Sequence, residues 1–240
     1  MNWTTAALQA VVRQTVYRML PYAVVDINGW GRYHTIQDAI DADHKWIVVK
    51  AGTHPPFNLA SGQDNVKIEG SGGRSCIVDN ASDTSVAAAV IAGAGYRISD
   101  MCFYTAPGGA GGGCHAVSIS GSAGWFFRCM VLDADLSAFS CTGQEVSFHQ
   151  CEVIDSDGNG FYLAGARAML VGCISQAVSG AGTAFYADSA ADQSLFVANH
   201  SHATMVLAAG ADNSLGVANI TDGGFTDSST GSTASNNEQY

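Results

Sequence analysis

Positive charge and proline are scarce in this chain: 10 lysines and arginines and 4 prolines in 240 residues, against 21 acidic residues and a net charge of −11. Eight of the basic residues precede residue 100; only Arg128 and Arg167 follow it. Proteins that track phosphates need clustered Lys and Arg to release counterions. The sequence therefore predicts no nucleic-acid partner. No window approaches the ~18 consecutive apolar residues of a membrane span. Arg13 and Arg18 interrupt the one stretch that could serve as a leader, so no secretory signal is expected. The seven cysteines include no C-x-x-C pair, and the count is odd. They read as reduced, buried small hydrophobes of a chain made in a reducing cytoplasm.

What is present is glycine, at 28 residues, and 47% hydrophobic content. That is enough for one substantial core, built from many turns and short strands rather than long amphipathic helices. The run "WFFRCMVLD" (125–133) has relatives in "YRISDMCFYT" (96–105), "VSFHQCEVID" (146–155), "AMLVGCISQA" (168–177), "SLFVANHSHA" (194–203) and "SLGVANITDG" (214–223). Aligning Cys102, Cys129, Cys151, Cys173, Asn199 and Asn219 gives spacings of 27, 22, 22, 26 and 20. A second short apolar run accompanies most copies: "AVSISG", "AFSCTG", "GFYLAG", "AFYADS" and "MVLAAG". Self-similarity at this period marks a solenoid, in which each unit buries its apolar face against its neighbours. The aligned cysteines and asparagines are expected to stack inward as ladders, at a turn or strand start, on about six coils.

Residues 4–20 place Leu8, Val12, Val16 and Met19 or Leu20 at helical spacing before Pro21, predicting an amphipathic helix that either caps the solenoid or attaches it to something else. Beyond Ile220 the chain is polar and nearly free of apolar residues. The predicted organisation is a helix and cap or attachment segment over 1–25, a β-helix over 26–222, and a polar tail or arm over 223–240.

From residue 33 the order is a helix-like "YHTIQDAIDAD", then strands "WIVVKAGTH", "PFNLA", "NVKIEGSGG" and "SCIVDN". Thr35, Ile36, Gln37, Ala39 and Ile40, then Val49, Ala51, Gly52 and Thr53, then Ile68, Gly70 and Gly72 make this run resemble the opening of pectate-lyase-like right-handed parallel β-helices, phage tailspikes among them. His54 departs from the aromatic that often follows the threonine. The resemblance implies an all-β, right-handed parallel β-helix with a short N-terminal capping helix.

Four acids are the candidate catalytic residues. Asp133 and Asp135 lie at +4 and +6 from Cys129, and Asp155 and Asp157 take the same offsets from Cys151. Carboxylates gathered on adjacent coils raise one another's pKa, suit glycoside hydrolysis, or hold a cation such as Ca2+ at Asp133 and Asp155. The plainer reading is turn chemistry, as in "DSDGNG". Pectate-lyase-like chemistry would add a basic residue beside the acids, and neither Arg128 nor Arg167 sits there by offset. His200 and His202 point the same way from one strand, but no third ligand is apparent, and they read as solvent-facing. "PGGAGGG" (107–113) lacks the Lys-Ser/Thr of a phosphate loop.

Exposed-face aromatics are few and the rod is short. These features favour a virion structural protein, a trimeric capsid decoration, cement or short spike protein of a phage, made in the host cytoplasm and contacting other virion proteins. The alternative is a tailspike-type protein that binds or cleaves a host-surface glycan.

Overall fold

The computed structural model describes residues 20–80, 86–105, 113–176, 182–235 and 237–239. The helix expected over 4–20 lies almost wholly outside these residues. The chain winds through three parallel sheets of ten, nine and eight strands, visiting the first, second and third in turn. One coil shows the plan: Trp125–Phe127 on the first face, Met130–Asp133 on the second and Phe139–Cys141 on the third. "WFFRCMVLD" and "VSFHQCEVID" pair in parallel, Trp125 opposite Ser147 and Phe126 opposite Phe148. There are about nine turns, not six. The coils missed are those at the two ends, where the sequence around the inward slot departs from the repeat although Cys76 still fills that slot on one of them. At the strand spacing of about 4.8 Å, nine turns make a rod of roughly 40 Å.

Ala23–Val25 pairs with Ile47–Val49 at the N-terminal end of the first face. The helix at Ile36–Asp41 follows, with a capping box in which the Thr35 hydroxyl accepts from the Asp38 NH at 3.0 Å and Asp38 reaches back to the Thr35 NH. It buries Ile36, Ala39 and Ile40 in the core.

The cysteine in "WFFRCMVLD" sits at a bend between two sheets. Arg128 adopts φ 50°, and Asp100, Gln150, Gly172, Ala198 and Ala218 occupy the same left-handed corner on other coils, with φ from 51° to 62°. A left-handed residue with a side chain costs about 1–2 kcal/mol. Stacking compensates: the Arg128 NH donates to the His149 carbonyl and the Gln150 NH to the Val171 carbonyl, at 3.0 and 2.9 Å.

The residue after the corner points inward. This column runs Cys76, Met101, Cys129, Cys151, Cys173, Asn199 and Asn219, all buried. Cys102 does not belong to it, because Cys102 pairs with Met130 and the slot is Met101's. The corner at Asp100 fixes the register, so aligning the sulfurs slipped this coil by one residue.

The first face contributes a core column of Ile47, Ile68, Ile98, Phe126, Phe148, Leu170, Phe196 and Gly216. The third contributes Phe139, Phe161 and Phe185, stacked at 5.0 and 5.2 Å. The third-to-first corner is a glycine column: a Cβ on Gly143 would lie 1.9 Å from the Gly121 carbonyl oxygen, and one on Gly165 as close to that of Gly143. This is the Gly that closes "AVSISG", "AFSCTG" and "GFYLAG".

The described residues beyond 222 do not simply trail away. Phe225–Asp227 pairs with Met205–Leu207, and Thr233–Ser235 with Leu215–Val217. The Asn237 side chain accepts from the Asn219 NH and the Ser232 hydroxyl from the Ser214 NH, both at 2.9 Å. Polar ladders there replace the apolar core whose absence suggested a tail.

Candidate functional site

Asp133 ends the second-face strand Met130–Asp133, and Asp155 lies just beyond Glu152–Val153 on the adjacent coil. The pairing register shifts between Val131 and Asp133, setting Asp133 opposite Tyr104. Burial raises the Asp133 carboxyl above the ordinary range, and the negative charges of Asp155, Asp157 and Asp135 add to the shift. The other three acids thus all lie near enough to act on Asp133. Around them the backbone stacks: the Asp157 NH donates to the Ala134 carbonyl and the Gly158 NH to the Leu136 carbonyl, both at 2.8 Å. Arg128 and Arg167 lie elsewhere, on Asp100 and Glu145.

A second cluster surrounds a shallow depression of about 230 Å³ where the first and second faces meet. Arg128 grips Asp100 with two parallel hydrogen bonds of 2.8 and 2.9 Å. Arg74, from the short turn before Cys76, reaches along the second face to Glu152, which also accepts from Gln176. Met101, Cys129, Met130 and Gln150 complete the lining. Each carboxylate is matched by a guanidinium, so this cluster is built to hold charge rather than to move a proton. Cys102 lies beneath, its thiol pushed up to about 12 by burial against the opposing pull of Arg74.

Farther along the second face His200 and His202 project outward, as expected. Asp222 of the next coil stands beside them, its carboxylate 2.8 Å from His202 Nδ1. Among the described residues these three are the group of three or more metal-capable side chains whose ligand atoms lie within 4.8 Å of one another. The sequence held the signal for Asp222: it lies at +3 from Asn219, as His202 does from Asn199.

From Trp125 to Val217 the outer side of the first face is largely apolar. One column runs Trp125, Ser147, Met169, Leu195 and Leu215, and a second Phe127, His149, Val171, Val197 and Val217. Trp125 is 49% and Leu215 38% exposed. Trp125 stacks on His149 at 5.1 Å, and burial holds that imidazole below its ordinary pKa. Over these five coils neither column carries an acidic residue; on the two preceding coils the same positions hold Arg97 and Lys67, and Ser99 and Glu69.

No protein-family model and no curated protein matches this chain. Solved structures do. It is similar to a pectin methylesterase from carrot, at 16% identity over 90% of this chain and 85% of that one, with a TM-score of 0.60. A pectin methylesterase from Aspergillus niger follows at 15% identity, 92% and 89% coverage and a TM-score of 0.58. The fold is the right-handed parallel β-helix of pectate-lyase-like proteins. ORF18 of Geobacillus virus E2 shares this β-helix over 100% of the present chain and 64% of its own, at 10% identity and a TM-score of 0.50. Identities this low speak for the fold alone. Among the described residues, no helix is long and apolar enough to cross a membrane.

Proposed function

We propose that this chain is a structural β-helix of a phage particle that associates with copies of itself, as a homotrimer, through the outer side of its first face. The observation that carries this reading is the pair of apolar columns from Trp125 to Val217. Five rungs at ~4.8 Å make a strip about 24 Å long, and apolar patches of a few hundred Å² mark contact surfaces on monomers. Charge supports a copy of the same chain as the occupant. With 21 acidic residues against 10 basic ones, two copies repel wherever carboxylates meet. Over the five rungs from Trp125 to Val217 both columns are free of them.

The two columns differ in composition. In a closed three-fold ring one column packs against the other on the next copy, the head-to-tail contact such a ring requires. The likeness to a phage open reading frame agrees with a particle role. Capsid or tail proteins are then the further partners, and a host-surface glycan is a ligand for the charged second face.

The test is sedimentation velocity with native mass spectrometry at micromolar concentration. A trimer is expected. A monomer throughout, with the first face open to labelling, overturns the proposal.

The second reading is a glycan-processing enzyme, favoured by the likeness to pectin methylesterases and by the raised Asp133 carboxyl. On it Asp133 is the acid and Asp155 the base or nucleophile, with Asp135 and Asp157 tuning both. Release of methanol from esterified pectin, or depolymerisation of a bacterial polysaccharide, that disappears in Asp133→Asn would favour this reading over the first.

A further inference from the structure

We propose that His200, His202 and Asp222 form a surface site for a divalent transition-metal ion, Zn2+ foremost. Residues two apart on a strand point the same way, so the imidazoles of His200 and His202 leave the second face together, ring centres 4.9 Å apart. The stacking of coils brings Asp222 to the level of His202. Ser201 and Thr221, buried beneath, fix the strands that carry them. Ladder hydrogen bonds hold the three backbones: the His200 NH donates to Cys173 at 2.9 Å, that of His202 to Ser175 and that of Asp222 to Ser201, both at 3.0 Å.

Two imidazole nitrogens and one carboxylate oxygen are the borderline-soft donors that suit zinc and its neighbours rather than calcium or magnesium. Ligand–metal bonds of about 2.0–2.2 Å put donors roughly 3–3.5 Å apart. The present spread of up to 4.8 Å closes by side-chain rotation, with the backbone unmoved. On binding, the contact between His202 and Asp222 gives way to two bonds to one ion. Ile174 and Ile220 pair with His200 from either side and flank it with apolar side chains. Three protein ligands leave at least one coordination position open on the solvent side, where a water or a ligand oxygen would bind.

Titration of the chelator-stripped full chain with ZnCl2 in a calorimeter tests this. One ion per chain is expected, with affinity about tenfold or more weaker in each of His200→Ala, His202→Ala and Asp222→Asn, and unchanged in His34→Ala, an exposed histidine near the N-terminal end of the rod. All three ligand side chains are surface groups, so the metal-free variants should melt with the native chain. Zinc should raise the melting temperature of the native chain but not of Asp222→Asn. A Co2+ spectrum free of sulfur-to-cobalt charge transfer would assign the ligands as nitrogen and oxygen. No zinc heat at tens of micromolar metal, affinity retained in all three variants, or a thiolate band would each overturn the assignment.

Discussion

Asn219 Oδ1 accepts two hydrogen bonds from Asn199, one from its backbone NH and one from its side-chain amide, both at 3.0 Å. Asn199 does the same service for the Cys173 NH at 2.9 Å, and Asn237 for Asn219. At this corner the ladder passes from thiols, which fill space, to amides, which satisfy the buried NH of the preceding coil. Asn219→Ala leaves two donors of Asn199 buried without an acceptor. At 1–3 kcal/mol for each, the loss should be roughly 2–6 kcal/mol, read as a drop in the urea midpoint.

Phe148 packs between Phe126 at 5.2 Å and Phe139 at 5.3 Å and is fully buried. Phe148→Ala should cost ~3–5 kcal/mol through lost burial and a cavity the stacked rings cannot close. Asp155→Ala, at an exposed position, should fall within about 0.5 kcal/mol of the native chain. Equal shifts in melting would mean that inward and outward positions have been exchanged.

The Asp133 carboxyl titrates above its ordinary range, so the folded state favours its protonated form. Its contribution to stability is present below the ordinary carboxylate pKa and is lost as pH rises through the raised value. Asp188 has the opposite sign: the Tyr162 hydroxyl holds it below the ordinary range, and that contribution is lost in acid. Asp133→Asn should therefore remove stability-versus-pH slope just above the ordinary carboxylate range and leave the protein at least as stable at pH 7. Tyr162→Phe should weaken the protein mainly above that range. Melting temperatures from pH 3 to 8 separate the two.

All seven cysteines are reduced and buried. Burial pushes the Cys141 thiol up to about 12, and that of Cys151, wedged between Cys129 and Cys173, well above its ordinary value. Thiolate is the reactive form. A thiol reagent at pH 8 should label none of the seven in the native chain within minutes and all seven in urea. Rapid labelling of Cys129 and Cys173 in the native state would contradict the ladder.

The fold was legible because stacking forces equivalent residues to recur. The left-handed corner, the inward slot behind it and the glycine column each leave a mark once per coil. Cys102 misled because Met101 fills the same slot with a different sulfur side chain. Asp222 was recoverable by the offset that places His202. The pairing of Arg74 with Glu152 was not, because Arg74 leaves an irregular turn three coils away and follows no period. The outer columns of the first face were hidden for another reason. In "WFF", "MLV" and "LFV" every residue is apolar, so the alternation that separates inside from outside is lost.

That double-sided apolarity gives the most discriminating prediction. If Leu195 of one copy packs against Val197 of the next, Leu195→Asp alone and Val197→Lys alone should each break the assembly to monomers by placing a charge in an apolar seam. The double variant carries both changes in every copy. In a head-to-tail ring each Asp then meets a Lys, and the trimer should return, more salt-sensitive than the native one. In a two-fold dimer that sets each column against its own counterpart, Asp meets Asp and Lys meets Lys, so the double variant stays dissociated. Sedimentation of the four proteins at low and high salt distinguishes the arrangements. A native chain that is monomeric, or one that keeps its mass in both single variants, would show that the first face is not where copies of this β-helix meet.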